Sequence, residues 1–211
     1  MDLMDLTAWH VDDALLVLEK PAGLLAVPGR GEDKQDCLAR RAVRQWPDAL
    51  VVHRLDMATS GLMLFARGAR MQRALSAAFE QRAIHKRYVG VVHGLLETEH
   101  GRIDAPLAAD WPNRPRQQVD TERGKPSLTL WRVLRRDAAL QRTRVELEPV
   151  TGRSHQLRVH LASIGHAIIG DCLYAGPAAA AAPRLLLHAS RVEFLHPETG
   201  AALRFDSEPP F

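Results

Sequence analysis

His53 to Ala66 reads HRLDMATSGLMLFA. Its second half, Leu62 to Ala66, is an unbroken apolar run of the kind that forms a strand buried on both faces. Thr59-Ser60-Gly61 before it is turn chemistry, and Ala49 to Val52 upstream is a second short apolar run. The stretch therefore predicts two buried strands joined by a loop that carries Arg54 and Asp56. Loops held by buried strands are favoured places for rigidly positioned reactive groups. Taken alone, an Asp just before Thr-Ser-Gly reads more simply as a turn residue that accepts backbone amides.

Upstream, Ala14 to Glu19 and Leu24 to Val27 read as strands, punctuated by Lys20-Pro21-Ala22-Gly23 and Pro28-Gly29. Leu38 to Trp46 has helical spacing and is closed by Pro47. Downstream, Met71, Ala74, Leu75, Ala78 and Phe79 mark a helix over 71–81, followed by a strand over Lys86 to Val92 that contains Tyr88. Asp110 to Pro126 holds Pro112, Pro115 and Pro126 with four basic residues, which suits an exposed loop or irregular hairpin. Val133 to Leu134 and Arg144 to Leu147 read as an antiparallel pair across a turn at Asp137, and Ser154 to Ile164 as a helix. Leu185 to Leu187, Arg191 to Leu195 and Ala202 to Phe205 complete the strands, with a turn over Pro197 to Gly200. No repeat or linker divides the chain. The expectation is one α+β domain over residues 1–211 with a mixed, largely antiparallel sheet.

The 211 residues are 46% hydrophobic and 25% charged, enough for a substantial core. Lys and Arg (28) exceed Asp and Glu (25) only slightly, but Arg67 to Arg87 contains six basic residues and a single acid, Glu80. Such a stripe is either a phosphate-facing patch or a solvated helix face. Cys37 and Cys172 have no zinc spacing and read as buried or incidental thiols. Asp2, Asp5, Asp12 and Asp13 are foreign to a signal peptide, and the apolar run Ala178 to Ala182 is far too short to span a bilayer. A cytoplasmic protein is expected. His53, His155, His160 and His188 show no metal-binding spacing and read as structural hydrogen-bonding residues. Ser60 lacks the GxSxG elbow of a hydrolase, and a kinase catalytic loop would place Asp directly after Arg, where Leu55 stands.

Three ordered blocks resemble the RluA family of pseudouridine synthases: Lys20-Pro21-Ala22-Gly23-Leu24 with Val27-Pro28-Gly29, then HRLDMATSGLMLFA, then Thr151 to His160 (TGRSHQLRVH). Lys86-Arg87-Tyr88-Val89, Gly124-Lys125-Pro126, Gly170-Asp171 with Tyr174, and Arg184 to Ala189 extend the likeness to nearly the whole chain. The resemblance implies a pseudouridine synthase catalytic domain with a central active-site cleft and no S4 domain, since only about a dozen residues precede the first expected strand. It implies Asp56 as the catalytic aspartate, Tyr88 as the tyrosine beside the target base, and Arg158 as the basic partner of Asp56, with Arg153 the other candidate. Arg54 would enter the RNA stack when the base leaves, and Arg114, Arg116, Lys125 and Arg153 would contact RNA. No cofactor and no metal are implied. The loop Trp111-Pro112-Asn113-Arg114-Pro115 further resembles the family's small single-domain member, which implies a tRNA anticodon stem-loop and a 23S rRNA hairpin as RNA partners of a monomer. The alternative from another class is a non-catalytic RNA-binding or chaperone protein on the same scaffold, against which stands the joint presence of Asp56, Tyr88 and Arg158.

Overall fold

The computed structural model describes residues 6–176 and 182–211, so the alanine run noted above, Ala182 apart, lies outside the described residues. The chain forms two compact units, one built from residues up to His85 with Ala189–Pro209, the other from Lys86–His188 with Pro210–Phe211. Among the described residues, the strand pairs with assigned register are antiparallel, and a parallel bridge joins Leu25 to Cys37.

In the first unit, β1 (Ala8–Val11) pairs with β2 (Leu15–Lys20), and β2 with β4 (Ser60–Arg67). β3 (Ala49–Val51) also pairs with β4, and β12 (Ala202–Asp206) with β11 (Leu187–Leu195). The unbroken apolar run of β4 has a simple cause: both faces are covered. Leu62, Leu64 and Ala66 pack with Met71 and Leu75 of α2 (Gly68–Glu80), whereas Met63 and Phe65 pack with Leu38 and Ala42 of α1 (Leu38–Gln45). Alternation therefore survives in the contacts although polarity does not alternate.

In the second unit, β5 (His85–His93), β10 (Arg142–Pro149), β9 (Leu128–Asp137) and β6 (His100–Asp104) follow one another as antiparallel neighbours. The β7 (Leu107–Ala109) and β8 (Gln117–Val119) strands form a separate hairpin that takes in the start of the Asp110 to Pro126 segment, in line with one of its two readings, the irregular hairpin. α3 (Gln156–Ser163) follows β10.

Three expectations need correction. Leu24 to Val27 is no strand: the carbonyls of Leu25 and Ala26 accept the first amides of α1, from Leu38 (2.8 Å) and Ala39 (3.1 Å), and that of Leu24 accepts from Lys20. The segment serves as a helix N-terminal partner, a use that its apolar composition does not reveal. Leu185 and Leu186 also lie outside β11, which runs unbroken through His188-Ala189-Ser190 into the expected 191–195 strand. Finally, β1 and β6 lie outside every expected strand. Each is too exposed to show an apolar pattern, with Trp9 44% and Val11 45% exposed in β1, and β1 starts well before the expected first strand.

Candidate active site

The Asp56 loop lies between β3 and β4, as its sequence predicts, with Asp56 half-buried, Arg54 exposed and Leu55 buried. Three local contacts fix this loop. Lys20, at the end of β2, has no solvent exposure, and its Nζ donates to the carbonyls of Pro21 (2.8 Å), Leu24 (2.7 Å) and Met57 (3.0 Å). An ammonium has three donors, so three carbonyls match it, and the one from Met57 ties the residue after Asp56 to the Lys-Pro-Ala-Gly turn. The Gly23 amide reinforces the same tie by donating to the Met57 carbonyl at 2.8 Å.

His53 holds the other end. The β3–β4 ladder ends at the Val51 and Phe65 pair, and the next inward amide, from Leu64, donates to His53 Nε2 at 2.9 Å. Nε2 is therefore the bare nitrogen and the proton sits on Nδ1, while the ring packs on Phe79 with centroids 4.7 Å apart. Within the loop the Thr59 amide donates to the Asp56 carbonyl (3.1 Å). Gly61, the second residue of β4, has φ 113°, where a Cβ would stand 2.3 Å from the Ala189 carbonyl oxygen. Only glycine fits there.

The remaining candidates belong to the second unit. Tyr88 is half-buried on β5, in register with Leu147 of β10. Beside it in sequence, Lys86 is held below the ordinary lysine range by burial. The TGRSHQLRVH block is organised by Gln156, which is 4% exposed. Its Oε1 accepts from Thr151 Oγ1 (2.7 Å) and the Arg153 amide (3.1 Å), and its Nε2 donates to the Leu128 carbonyl (2.9 Å) and to Thr129 Oγ1 (3.1 Å). Two residues on, Arg158 is 4% exposed and forms a bidentate pair with Asp171: Nε donates to Oδ2 at 2.8 Å and Nη2 to Oδ1 at 2.7 Å. Asp171 Oδ1 also accepts the amides of Leu173 (3.0 Å) and Tyr174 (3.3 Å). Arg158 and Arg153 thus differ sharply. Arg153 is exposed and lies on the surface beside the Pro126 carbonyl.

His160 is fully buried, its Nε2 facing the Ala105 carbonyl (2.9 Å) and its Nδ1 facing Thr129 Oγ1 (2.9 Å). A carbonyl only accepts, so Nε2 carries the proton and Nδ1 accepts the threonine hydroxyl. Burial holds its pKa below the ordinary histidine value despite the Ala105 hydrogen bond. With His53 as an acceptor and His160 as a bridge, the structural reading of these histidines agrees with their contacts.

The loop between β7 and β8 presents Trp111, 67% exposed, with the Arg114 guanidinium 3.4 Å from its ring centroid. Arg116 and Lys125 are exposed nearby in sequence. The 67–87 stripe fares differently, because Arg67 pairs with Asp48 (3.1 Å), Arg70 with Glu198, and Arg87 with Glu146 (3.1 Å). Three of its six cations are thus matched by acids, which favours the solvated-face alternative for Arg67, Arg70 and Arg87. Cys37 is buried and caps α1, its Sγ accepting the Arg40 amide at 3.4 Å, whereas Cys172 is exposed.

The chain matches the RNA pseudouridylate synthase family over residues 14–163, a span that includes Lys20, Asp56, Tyr88 and Arg158. It belongs to that family. As a member it is an enzyme that isomerises uridine within RNA. It is 49% identical over 191 residues to the dual-specificity RNA pseudouridine synthase RluA of Vibrio cholerae, covering 90% of this chain and 77% of that one. To the enzyme of the same name from Escherichia coli K12 it is 47% identical over 203 residues, covering 96% and 92%. Among solved structures it resembles human RNA pseudouridylate synthase domain containing 1, with a TM-score of 0.82 and 24% identity over all of this chain and 86% of that one, which establishes the shared α+β fold. These relatives favour the enzyme over the non-catalytic alternative.

Sequence reading places Asp56, Tyr88 and Arg158 in the matched blocks but gives no role to Lys20, Gln156, Asp171 or Tyr174. For Lys20 a signal is present: a lysine ending the apolar strand ALLVLE must bring its ammonium to acceptors if it is buried.

Proposed function

We propose that this synthase acts as a cytoplasmic monomer on hairpin loops, modifying both a tRNA anticodon stem-loop and a 23S rRNA hairpin, with Asp56 as the catalytic carboxylate. The observation that carries this reading is the 47% identity over 96% of the chain to a relative whose name declares dual specificity. The exposed Trp111 and Arg114 pair supports it, because splayed loop bases are recognised by stacking on aromatic and guanidinium planes.

The reaction breaks the bond from N1 of uracil to C1′ of ribose and forms one from C5 to C1′, while the C5 proton is lost and N1 gains one. Asp56 would act ionised, either attacking C1′ or C6 or taking a proton from C2′. RNA closing over this carboxylate would strip it of water, and a buried charge is tolerated only when paired, so a cation must oppose it. Arg158 suits that role, since a guanidinium has five donors, enough for two carboxylates, and Asp171 fixes its orientation. Tyr88 would stack on the extruded uracil and carry the proton from C5. Arg54, exposed two residues before Asp56, would fill the stack that the base vacates, offsetting part of the few kcal/mol that extrusion costs.

The test is tritium release from 5-tritiated uridine in the two isolated hairpins, each compared with a version whose loop is scrambled on the same stem. Both intact hairpins should react and both scrambled ones should not. Reaction only in full-length tRNA or rRNA would overturn loop reading, and reaction in one hairpin alone would overturn dual specificity.

A further inference from the structure

Tyr174 takes no part in the proposed chemistry, yet it joins two of the elements on which that chemistry depends. Its hydroxyl accepts the backbone amide of Gln117 at 2.7 Å, at the first residue of β8, where the Trp111 to Arg116 loop re-enters the hairpin. The same oxygen lies 2.7 Å from Nδ1 of His155, the residue that starts α3 in a left-handed conformation at φ 55°. The hydroxyl thus bridges the Gln117 amide, from which it accepts, and His155 Nδ1, with which the tautomer of the ring sets the direction of the bond.

The ring makes further contacts. The Arg158 guanidinium lies 5.2 Å from its centroid and that of Arg116 5.6 Å, both within cation–π range. Its backbone amide donates to Asp171, the carboxylate that grips Arg158. A single residue therefore touches the end of the RNA-facing loop, the start of the helix bearing Arg158, and Arg158 itself.

We propose that Tyr174 is a positioning residue that holds the 110–116 loop against the α3 start, so that the loop is ordered for RNA and Arg158 keeps its orientation whether or not RNA is bound. This rests on the proposed function of the loop and of Arg158. The hydroxyl serves the loop, and the ring serves Arg158. The two can be separated, because phenylalanine keeps the ring and loses only the hydroxyl.

Steady-state tritium release from the anticodon stem-loop would be measured for the wild type, Tyr174→Phe, Arg114→Ala and the double variant, with thermal melts as a check on folding. Tyr174→Phe should raise KM by about tenfold, the scale of one or two lost neutral hydrogen bonds, and leave kcat within about twofold. Arg114→Ala should raise KM in the wild type and add little in Tyr174→Phe, since a loop already released has lost the benefit of its arginine. An unchanged KM for Tyr174→Phe overturns the inference. So does a lowered kcat at constant KM, the mark of a smaller folded fraction, and so do KM effects that simply multiply. Should the wild type release no tritium from any RNA, the proposed function fails and this inference with it. An active wild type beside an unaltered Tyr174→Phe removes only the inference.

Discussion

Lys20 and Asp56 are both charged residues next to the same loop, and they call for opposite experiments. Lys20→Met keeps the side-chain volume but takes the ammonium from the Pro21 and Leu24 carbonyls and leaves that of Met57 with the Gly23 amide alone. Buried acceptors stripped of a partner cost about 1–3 kcal/mol each before relaxation, so a net loss of about 2–4 kcal/mol is expected in urea unfolding. Asp56→Asn should do the reverse, lowering turnover by about three orders of magnitude or more with the unfolding midpoint and RNA affinity nearly unchanged. Turnover within tenfold of the wild type would remove Asp56 from the chemistry. The sequence shows the catalytic candidate more readily than its support. An aspartate in a loop between apolar strands is conspicuous, whereas Lys20 looks like any strand-ending surface lysine until its burial is known.

Elements are legible where burial leaves a periodic trace. β2, β4, α1 and α2 announce themselves because their apolar residues face defined neighbours on one or two sides. β1 and β6 leave no trace because they are largely exposed, and Leu24 to Val27 misleads because its carbonyls, not its side chains, set its role. α3 belongs to a third kind. Its six residues Gln156 to Leu161 are all buried, polar ones included, so helical periodicity reveals the helix but not its hydrogen-bonded interior. His160 gives α3 a pH signature. Its folded pKa is depressed, so the unfolded chain takes up a proton first as pH falls. Its contribution is complete above the unfolded value of about 6.5 and is lost progressively as pH drops from there toward the lower folded pKa. Urea midpoints between pH 7.5 and 5 should fall, and His160→Gln should start lower but show a shallower fall. An equally steep profile in the variant would assign the effect to another group.

For the molecule as a whole, a net charge of +3 conceals an uneven distribution. Arg67, Arg70 and Arg87 already face carboxylates, whereas Arg114, Arg116 and Lys125 are exposed around the β7–β8 hairpin. The salt dependence of RNA binding should therefore trace to the hairpin. Replacing Arg114, Arg116 and Lys125 together by alanine should reduce the slope of log affinity against log salt by about two, from roughly 0.7 per phosphate contact on single-stranded loops. Arg67→Gln with Arg70→Gln should leave the slope within error. Nitrocellulose filter binding between about 50 and 300 mM salt would separate the two, and a slope change in the second variant would restore the 67–87 stripe as a phosphate surface.

The His53 ring has a further consequence. By accepting the Leu64 amide, it makes an imidazole a rung of the β4 ladder, where a carbonyl would ordinarily stand. A carbonyl cannot be switched off, but a ring nitrogen can be, by a proton or a metal ion. The grip on one end of the Asp56 loop is thus reported by a nucleus that spectroscopy can address singly. The nitrogen-15 shift of His53 Nε2 and the deuterium exchange of the Leu64 amide should change together, and residue 53 should tolerate side chains that can accept there while rejecting lysine and arginine, which only donate.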